Sequence, residues 1–103
     1  MSKLDVSVVV PLYNEEESLC ELAAWIERVC SAERLSYEII MIDDGSTDSS
    51  WSVVERLKAE YGERLKAIRF SRNYGKSAAL YCGFEAAEGE VVLKILLHQK
   101  EFM

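Results

Sequence analysis

The sequence predicts an α/β fold in which helices cover both faces of a parallel β-sheet. Its 103 residues suit one small domain, and a hydrophobic fraction of 50% is enough for a core. Four short apolar runs alternate with three stretches of helical periodicity, in the order β-α-β-α-β-α-β. The first two runs are apolar almost without interruption, which is typical of strands buried on both faces of a parallel sheet.

The first strand and the first helix are predicted within residues 6–29. The segment from Val6 to Leu12 reads VSVVVPL, and Pro11 lies at its end, where the missing N–H of a proline costs least. Glutamates at positions 15–17 then place negative charge at the positive end of a helix. The apolar face predicted for this helix comprises Leu19, Leu22, Ile26 and Val29.

The same alternation continues along the rest of the chain. Ser46 or Thr47 is expected to cap the second helix, and Gly62 is expected to end it. Gly89 is expected to close the third helix. We expect further strands at 37–42, 65–70 and 90–97, and the third helix from about 76 to 88.

Composition and charge exclude several classes of protein. A formal net charge of −6 leaves no basic face for nucleic acid. Cys20, Cys30 and Cys82 are widely spaced, so we expect three buried thiols in a reducing compartment rather than a zinc site or a disulfide framework. The first residues lack the apolar region of a signal peptide, and no apolar run reaches the roughly 20 residues that span a bilayer. The expected location is therefore cytoplasmic.

Polar clusters follow the first three predicted strands. Ligands of open α/β sheets bind at the carboxyl ends of the strands, so the clusters are expected to converge on one crevice. Residues 11–15 (PLYNE) fit a ring-binding surface and a plain turn into a helix equally well. Asp43 and Asp44 favour ligand binding, since helix capping explains Ser46–Asp48 better than it explains these two aspartates. On spacing alone, residues 72–76 (RNYGK) fit a solvated loop better than an anion site.

Other kinds of catalytic site lack their motifs. Neither GxGxxG nor GxxxxGK[ST] occurs, which removes the dinucleotide-binding fingerprint and the P-loop. His98 is the only histidine, and we read it as a solvated residue near the chain end. A single histidine in that position supports no Ser-His-Asp or Cys-His arrangement.

Three segments together resemble a known family. SVVVPLYNEEESL, YEIIMIDDGSTDSS and IRFSRNYGKSAALYCGFEAAEGEVV are similar to the N-terminal half of a family 2 glycosyltransferase with the GT-A fold. The third segment is most similar to the polyprenyl-phosphate glycosyltransferases, the group of dolichol-phosphate mannose synthase and the bactoprenol glucosyl transferases. The resemblance covers about residues 5–93. It implies a Rossmann-like three-layer sandwich with a parallel sheet in the strand order 3-2-1-4.

The resemblance also implies ligands and the residues that hold them. The donor would be a nucleotide-diphosphate sugar, UDP- or GDP-linked, and the acceptor a polyprenyl phosphate in a membrane, to which the enzyme would attach peripherally. Asp44 matches the position that meets the nucleobase. The implied nucleotide-binding residues are Pro11, Tyr13, Asn14, Glu15, Asp43, Asp44 and Gly45. The residues implied near the diphosphate and the sugar are Arg72, Asn73, Gly75 and Lys76.

The sequence departs from the family at the fourth strand, which normally ends in a D-x-D element that holds Mg or Mn at the diphosphate. Leu96 and His98 stand about where the acidic pair belongs, and neither suits a hard cation. Residues 94–103 diverge from the family altogether. We therefore expect one domain over 1–103 that is a truncated enzyme, ended by a frameshift or premature stop after about Val92. It would bind nucleotide weakly, with no metal pair, no catalytic residue and little or no turnover alone.

Two alternatives from other classes stay open at this point. A receiver-type phosphoacceptor domain also has a doubly wound sheet and an acidic pair, but it needs an aspartate after a later strand. Ser71 and Arg72 stand after the third strand instead. A non-catalytic interaction module is the other alternative, because a fourth strand rich in Val, Ile and Leu at the sheet edge invites self-association.

Overall fold

The predicted alternation of strands and helices is present in the computed structural model, which describes residues 4–97. One 3-10 turn, Gly62–Arg64, precedes the third strand. No helix among these residues combines the length and the apolar character that crossing a membrane requires. The strands are β1 (Val6–Leu12), β2 (Tyr37–Asp43), β3 (Leu65–Arg69) and β4 (Val91–Lys94), and the helices are α1 (Leu19–Ala32), α2 (Ser50–Tyr61) and α3 (Lys76–Ala86).

The four strands form one parallel sheet in the order β3-β2-β1-β4, as the family resemblance implies. β1 and β2 pair along their full lengths, from Val6 opposite Tyr37 to Leu12 opposite Asp43. All residues of both strands are buried. β4 is shorter, and its four residues are all exposed. The centre of the sheet is therefore buried, whereas β4, the last strand among residues 4–97, is exposed.

Pro11 lies where the sheet needs no donor, as predicted. Leu12 accepts the N–H of Asp44 from the β2 side at 2.9 Å. Since successive residues turn their backbone groups to opposite edges, the nitrogen of Pro11 faces the β4 side. Pairing with β4 ends before Pro11, at Val9 opposite Lys94. The missing N–H therefore leaves no gap in the ladder.

Two apolar clusters lie on opposite faces of the sheet and make the fold three-layered. α1 and α2 cover the face that carries Val8, Val10, Ile39 and Met41. α3 covers the other face, where Ala79 packs with Val9, Ile40 and Ile42.

The apolar face of α1 is turned by about one residue from its predicted position. Its buried residues are Leu19, Ala23, Ile26 and Cys30. Val29 is 41% exposed, so the prediction for Val29 is wrong. The face toward the sheet thus runs through Ala23 and Cys30, with Leu22 at its margin and Val29 outside it.

The three cysteines differ in burial, so the prediction of three buried thiols is only partly correct. Cys30 is buried in the α1 face, Cys82 is intermediate and Cys20 is exposed. Burial raises the pKa of the Cys30 thiol, which keeps it protonated and behaving as a small hydrophobe.

Both α1 and α2 begin later than predicted. α1 begins at Leu19, not in the run of glutamates, and α2 begins at Ser50, not after Ser46 or Thr47. The reason is that these polar residues bond between loops rather than to the first turn of their own helix. Helix caps and cross-loop partners use the same residue types, so the sequence pattern alone does not separate them.

Gly83 sets how closely α3 approaches the sheet. A Cβ built at this position would lie 2.3 Å from Cγ1 of Val9 and 2.8 Å from Cδ1 of Ile42. Both neighbours belong to the buried core of the sheet. Any side chain at position 83 therefore requires α3 to move away.

A buried ionic network joins three strands to the C-terminal end of α3. The Glu38 carboxylate is buried; its Oε2 accepts Ser7 Oγ–H at 2.6 Å and the N–H of Glu88 at 2.7 Å. Its Oε1 lies 3.0 Å from Lys66 Nζ, which also donates to Ala86 O at 2.7 Å. Every strong donor and acceptor of the network therefore has a partner, which is what makes a buried charge tolerable.

The hydrogen bonds of this network shift the titration of Glu38. Burial alone would raise the pKa of this carboxyl, but the bonds from Ser7, Glu88 and Lys66 outweigh burial and hold the pKa below its ordinary value of 4.5. A lowered pKa in the folded state means that the ionised form stabilises the fold. That contribution is complete above pH 4.5 and is lost as the pH falls through the folded-state pKa.

We expect Glu38→Gln to lower the free energy of unfolding at pH 7 by about 2 kcal/mol, because Lys66 keeps its charge and loses its anionic partner. The difference between variant and parent should shrink as the pH falls below 4.5 and through the lowered folded-state pKa of Glu38, because the parent side chain then becomes neutral like glutamine. Urea unfolding followed by circular dichroism from pH 3 to pH 7 measures both effects.

Glu88→Gln is the matched control, since Glu88 is 73% exposed and lies 3.8 Å from Lys66. It should change stability by less than about 0.5 kcal/mol. Equal stability of Glu38→Gln and the parent across the whole pH range would contradict this account of the network.

Candidate functional site

Three loops meet at the carboxyl edge of the sheet, one after each of β1, β2 and β3. We call them the first loop (13–18), the second loop (44–49) and the third loop (70–75). Because the strands are parallel and adjacent, all three loops leave the sheet at the same edge. The structure therefore brings together the three clusters that the sequence singled out.

Asn14 joins the first loop to the second. Its backbone takes a positive φ of 54°, and its N–H donates to Ser46 Oγ at 2.9 Å. Its side-chain oxygen accepts the N–H of Thr47 at 2.8 Å, and its Nδ2 donates to Thr47 Oγ1 at 3.2 Å. The Asn14 amide thus holds the second loop in place, in addition to any contact it makes with a ligand.

The neighbouring glutamates extend the same connection to the start of α2. The N–H of Glu15 donates to Ser50 Oγ at 2.9 Å, and Glu16 Oε1 accepts the N–H of Ser49 at 2.7 Å. Glu15 is buried, whereas Tyr13 is half-buried between strand and loop. Pro11 is buried in the sheet below them, so it supports the loop and offers little surface to a ligand.

Asp43 and Asp44 bond to different parts of the molecule. Asp43 is completely buried, and its Oδ1 accepts the N–H of Ser46 at 2.8 Å within the second loop. Its Oδ2 has no hydrogen-bond partner among residues 4–97. A buried acceptor without a partner costs about 1–3 kcal/mol. Oδ2 of Asp43 is therefore able to accept one more hydrogen bond.

Asp44 clamps the third loop. Its Oδ1 accepts the N–H of Tyr74 at 2.7 Å, and its Oδ2 accepts the N–H of Gly75 at 3.0 Å. Two backbone donors on one carboxylate form a strong charge-assisted pair. Each carboxylate oxygen keeps a second lone pair, so the clamp leaves room for another donor.

Gly45 lets the backbone of the third loop lie directly against the second loop. Its φ is +76°, and a Cβ built there would lie 2.3 Å from the carbonyl carbon of Arg72 and 2.5 Å from the nitrogen of Asn73. Both atoms belong to the backbone, so a side chain at position 45 would collide with the third loop.

The third loop presents an ordered cationic surface beside the start of α3. The Arg72 guanidinium lies 4.9 Å from the Tyr74 ring centroid, and Phe70 packs edge-on against the same ring at 5.6 Å. Asn73 and Lys76 are exposed, and Gly75 reaches φ 108° before α3 begins. Among residues 4–97, neither Arg72 nor Lys76 forms a salt bridge. Their charges, with the first N–H groups of α3, favour an anion here.

An open depression lies between the second and third loops on the β3 side. Its volume is about 350 Å³, within the range of small-molecule sites. Arg69 in its wall stacks on the Trp51 ring at 5.4 Å. The lining residues are Gly45, Ser46, Arg69, Phe70 and Ser71.

The described residues do not fit a divalent-metal site. Over residues 4–97, no three His, Cys, Asp or Glu side chains are grouped to hold an ion. Leu96, about where one family ligand belongs, is a half-buried hydrocarbon side chain, and hard cations take oxygen ligands. His98 lies outside the described residues.

Comparison with known proteins identifies the family. The family profile described as "Glycosyl transferase family 2" matches residues 7–95, most of the chain. The chain belongs to glycosyltransferase family 2. The prediction from the three quoted segments is therefore confirmed.

Curated proteins similar to this family 2 chain include undecaprenyl-phosphate sugar transferases. The undecaprenyl-phosphate 4-deoxy-4-formamido-L-arabinose transferase of Pseudomonas fluorescens strain SBW25 is 44% identical over 90 residues, which cover 87% of this chain and 26% of the relative. The enzyme of the same name from Aeromonas hydrophila subsp. hydrophila is 42% identical, with coverage of 87% and 28%. The chain thus spans about a quarter of the length of these relatives.

Solved structures of glycosyltransferases share the fold of this chain. The mannosyltransferase PcManGT from Pyrobaculum calidifontis, in complex with GDP-Man and Mn²⁺, is 29% identical with a TM-score of 0.72, covering 89% of this chain and 27% of its own. S. aureus TarS in complex with UDP is 29% identical with a TM-score of 0.74, covering 90% and 27%. The expected GT-A fold of family 2 is thereby confirmed.

Several residues that shape this family 2 site were not predicted as part of it. Ser46, Thr47 and Ser50 accept hydrogen bonds from the first loop, although the sequence pattern suggested helix capping for the first two. Glu16 was read as a helix-end charge but bonds to Ser49. The available signal was the density of Ser, Thr and Asp after β2, which exceeds what one helix cap uses.

We expect Gly45→Ala to destabilise the fold and displace the third loop, because the new methyl group meets the backbone of Arg72 and Asn73. The loss should be about 3 kcal/mol, from backbone strain at positive φ together with overpacking. Thermal and urea unfolding measure the loss.

Gly62→Ala separates the two causes, since Gly62 has a similar φ of +64° but nothing within 4 Å of a built Cβ. This variant should lose only the contribution of backbone strain, so its loss should be smaller than that of Gly45→Ala. Equal losses at positions 45 and 62 would show that contact between the loops contributes nothing.

Proposed function

We propose that this chain is the nucleotide-sugar-binding part of a family 2 glycosyltransferase that transfers a sugar from a nucleoside diphosphate to a polyprenyl phosphate. The main support is the Asp44 clamp. The hydrogen bonds of Tyr74 and Gly75 to Asp44 hold the cationic third loop beside the ends of β1 and β2. The named acceptor of the curated relatives is undecaprenyl phosphate, and solved structures of similar fold hold GDP-Man or UDP. The nucleotide base, the sugar and the acceptor proposed for this chain rest on its similarity to these proteins.

The nucleoside is proposed to lie over the first and second loops. Tyr13 is half-buried there, so its ring has a face for a base or ribose. The second lone pairs of Asp44 are acceptors for a base N–H or a ribose hydroxyl, and the completely buried Asp43 supports this surface by holding the second loop. Asn14 and Glu15 shape this surface through hydrogen bonds between the first and second loops, and Gly45 through its close approach to the third loop.

The diphosphate is proposed to lie against the start of α3. Arg72 and Lys76 supply positive charge, and the first N–H groups of α3 supply donors. Negative charge grows on the departing nucleoside diphosphate as the sugar leaves, and fixed donors aimed at that charge lower the barrier. The attacking oxygen of a phosphate acceptor is already anionic, so the reaction needs little help from a general base.

The proposal extends to turnover and location. In the family a divalent metal stabilises the leaving diphosphate, and the described residues do not form such a site. We therefore propose little or no transfer by this chain alone. A lipid-phosphate acceptor implies that the chemistry occurs at the cytoplasmic surface of a membrane.

A receiver-type phosphoacceptor function is not favoured. The residues that follow β3 are Phe70, Ser71 and Arg72, and none of them carries a carboxylate that could accept a phosphoryl group. The two carboxylates at the end of β2, Asp43 and Asp44, accept hydrogen bonds from backbone donors of the second and third loops.

We expect the chain to bind UDP or GDP more tightly than uridine or guanosine, because the diphosphate adds contacts with Arg72 and Lys76. Lys76→Ala should weaken diphosphate binding by about tenfold and leave nucleoside binding unchanged, since one charge-assisted contact is lost. Isothermal titration calorimetry with each nucleotide and nucleoside measures this. Arg28→Ala, which removes an exposed cation from α1, is the control and should have no effect. No detectable binding of either diphosphate would refute the proposed function.

Asp44→Ala should weaken nucleotide binding by at least about tenfold, because the third loop loses both clamp bonds and a base acceptor is removed. Hydrogen exchange at the Tyr74 and Gly75 amides, measured on the same variant, separates the two causes. Faster exchange assigns the loss to loop position, whereas unchanged exchange assigns it to direct contact. Unchanged binding would remove Asp44 from the site.

A further inference from the structure

Tyr74 contacts two other residues of the third loop with its ring. Phe70 packs against it in an edge-to-face arrangement, with the ring centroids 5.6 Å apart and the ring planes at 86°. The Arg72 guanidinium lies over the same ring, 4.9 Å from its centroid. All three residues lie within positions 70–74, so the contacts are made by close neighbours in the chain. The family resemblance assigned no role to Tyr74.

The Tyr74 ring is held in place by contacts that lead back to the sheet. The backbone N–H of Tyr74 donates to Asp44 Oδ1 at 2.7 Å. Phe70 donates its own N–H to the backbone oxygen of Asp43 at 2.8 Å, and its side chain packs against the apolar cluster on the α3 face. The ring therefore has a fixed position at the end of the sheet, although Tyr74 is 54% exposed.

Contact with this ring limits the motion of Arg72 and leaves its hydrogen-bond donors unused. A cation is attracted to the negative face of an aromatic ring, and that attraction needs none of the five N–H donors of a guanidinium. A free arginine side chain has many rotamers, and a ligand that fixes it must offset the lost entropy. The Tyr74 ring reduces this loss, because it restricts Arg72 before a ligand arrives.

Lys76, the other cation of this surface, has no such support within residues 4–97. Its exposed side chain takes part in no cation–π contact and no salt bridge there. An ammonium is a point charge on a flexible stem, whereas a guanidinium offers phosphate two parallel donors in a fixed geometry. The orientation of Arg72 therefore matters more for phosphate binding than the orientation of Lys76.

We propose that Tyr74 is a positioning residue, whose ring holds the Arg72 guanidinium in the orientation that binds the diphosphate of a nucleotide. The inference rests on the proposed function, because it needs a diphosphate at the third loop. It adds a residue that acts through Arg72 and not by touching the ligand. The aromatic ring carries this role and the phenol hydroxyl does not, since the cation lies over the ring.

The first test compares diphosphates with nucleosides. Tyr74→Leu should weaken binding of UDP or GDP by about fivefold and leave binding of uridine or guanosine unchanged, because only the diphosphate meets Arg72. Tyr74→Phe keeps the ring and should bind both ligands like the parent. Chemical-shift titration by NMR on the purified 103-residue chain measures each affinity. Equal weakening of diphosphate and nucleoside binding would show that Tyr74 only supports the loop, and the proposal would then be wrong.

Tyr81→Leu is the matched control. Tyr81 is 68% exposed on α3, and among residues 4–97 no cation lies over its ring. This variant removes an exposed tyrosine ring without removing a cation–π contact, so it should change no affinity. An effect as large as that of Tyr74→Leu contradicts the proposal.

The second test determines whether Tyr74 acts through Arg72. In a chain that already carries Arg72→Ala, the change Tyr74→Leu should cause no further loss of UDP or GDP affinity, because the group that the ring holds is gone. A further loss of about fivefold would mean that the ring contacts the ligand itself, which refutes a positioning role.

The third test needs no ligand. The ring current of Tyr74 should move the side-chain NMR resonances of Arg72 upfield in the free chain. Tyr74→Leu should abolish this shift, and Tyr81→Leu should preserve it. Arg72 resonances at their random-coil positions in the parent chain overturn the proposal.

The titrations also separate this proposal from the proposed function on which it rests. A parent chain that binds neither UDP nor GDP refutes the proposed function, and the role of Tyr74 is refuted with it. A parent chain that binds a diphosphate no better than its Tyr74→Leu variant refutes the role of Tyr74 alone.

Discussion

The parallel pairing of β1 with β2 is the constraint on which the rest of this structure depends. Seven consecutive residues of one strand pair with seven of the other, and all of them are buried. Because this register is fixed from Val6 to Leu12, both strands end at the same level of the sheet. The first and second loops therefore begin side by side, and short polar side chains are long enough to connect them.

The two consecutive aspartates at the end of β2 hold different loops of the candidate site. Neighbouring residues of a strand point to opposite faces of a sheet. Asp43 continues the face covered by α1 and α2 and bonds within the second loop. Asp44 bonds to the third loop, which leads into α3 on the other face. A doubled carboxylate at the end of a buried strand thus orders the loops on both sides of the sheet.

The sequence supported the fold in outline because its strongest signals are local. Uninterrupted apolar runs mark β1 and β2, and their alternation with helical segments requires parallel strands. The meeting of the three polar clusters follows from that topology alone. The bonds of Asn14 to residues 46 and 47 did not follow, since they connect loops more than 30 residues apart and use residue types that also cap helices.

The buried network around Glu38 has a local signal in the sequence. A glutamate within the apolar run YEIIMI and a lysine within LKAIRF stand near the starts of neighbouring strands, where opposite charges are able to meet. Polar residues inside a run that is buried on both faces need partners, so their presence predicts a network. Its partners on the α3 side, Ala86 and Glu88, are far along the chain and have no sequence signature.

The contact beneath Gly83 has a consequence for the far end of α3. Position 83 lies about two turns, roughly 10 Å, from Lys76 at the start of the helix. A helix is stiff over that length, so the depth at which Gly83 seats against Val9 and Ile42 also sets the height of the Lys76 ammonium above the sheet. Substitutions of core residues beneath Gly83 can therefore change how far the Lys76 ammonium reaches at the carboxyl edge of the sheet.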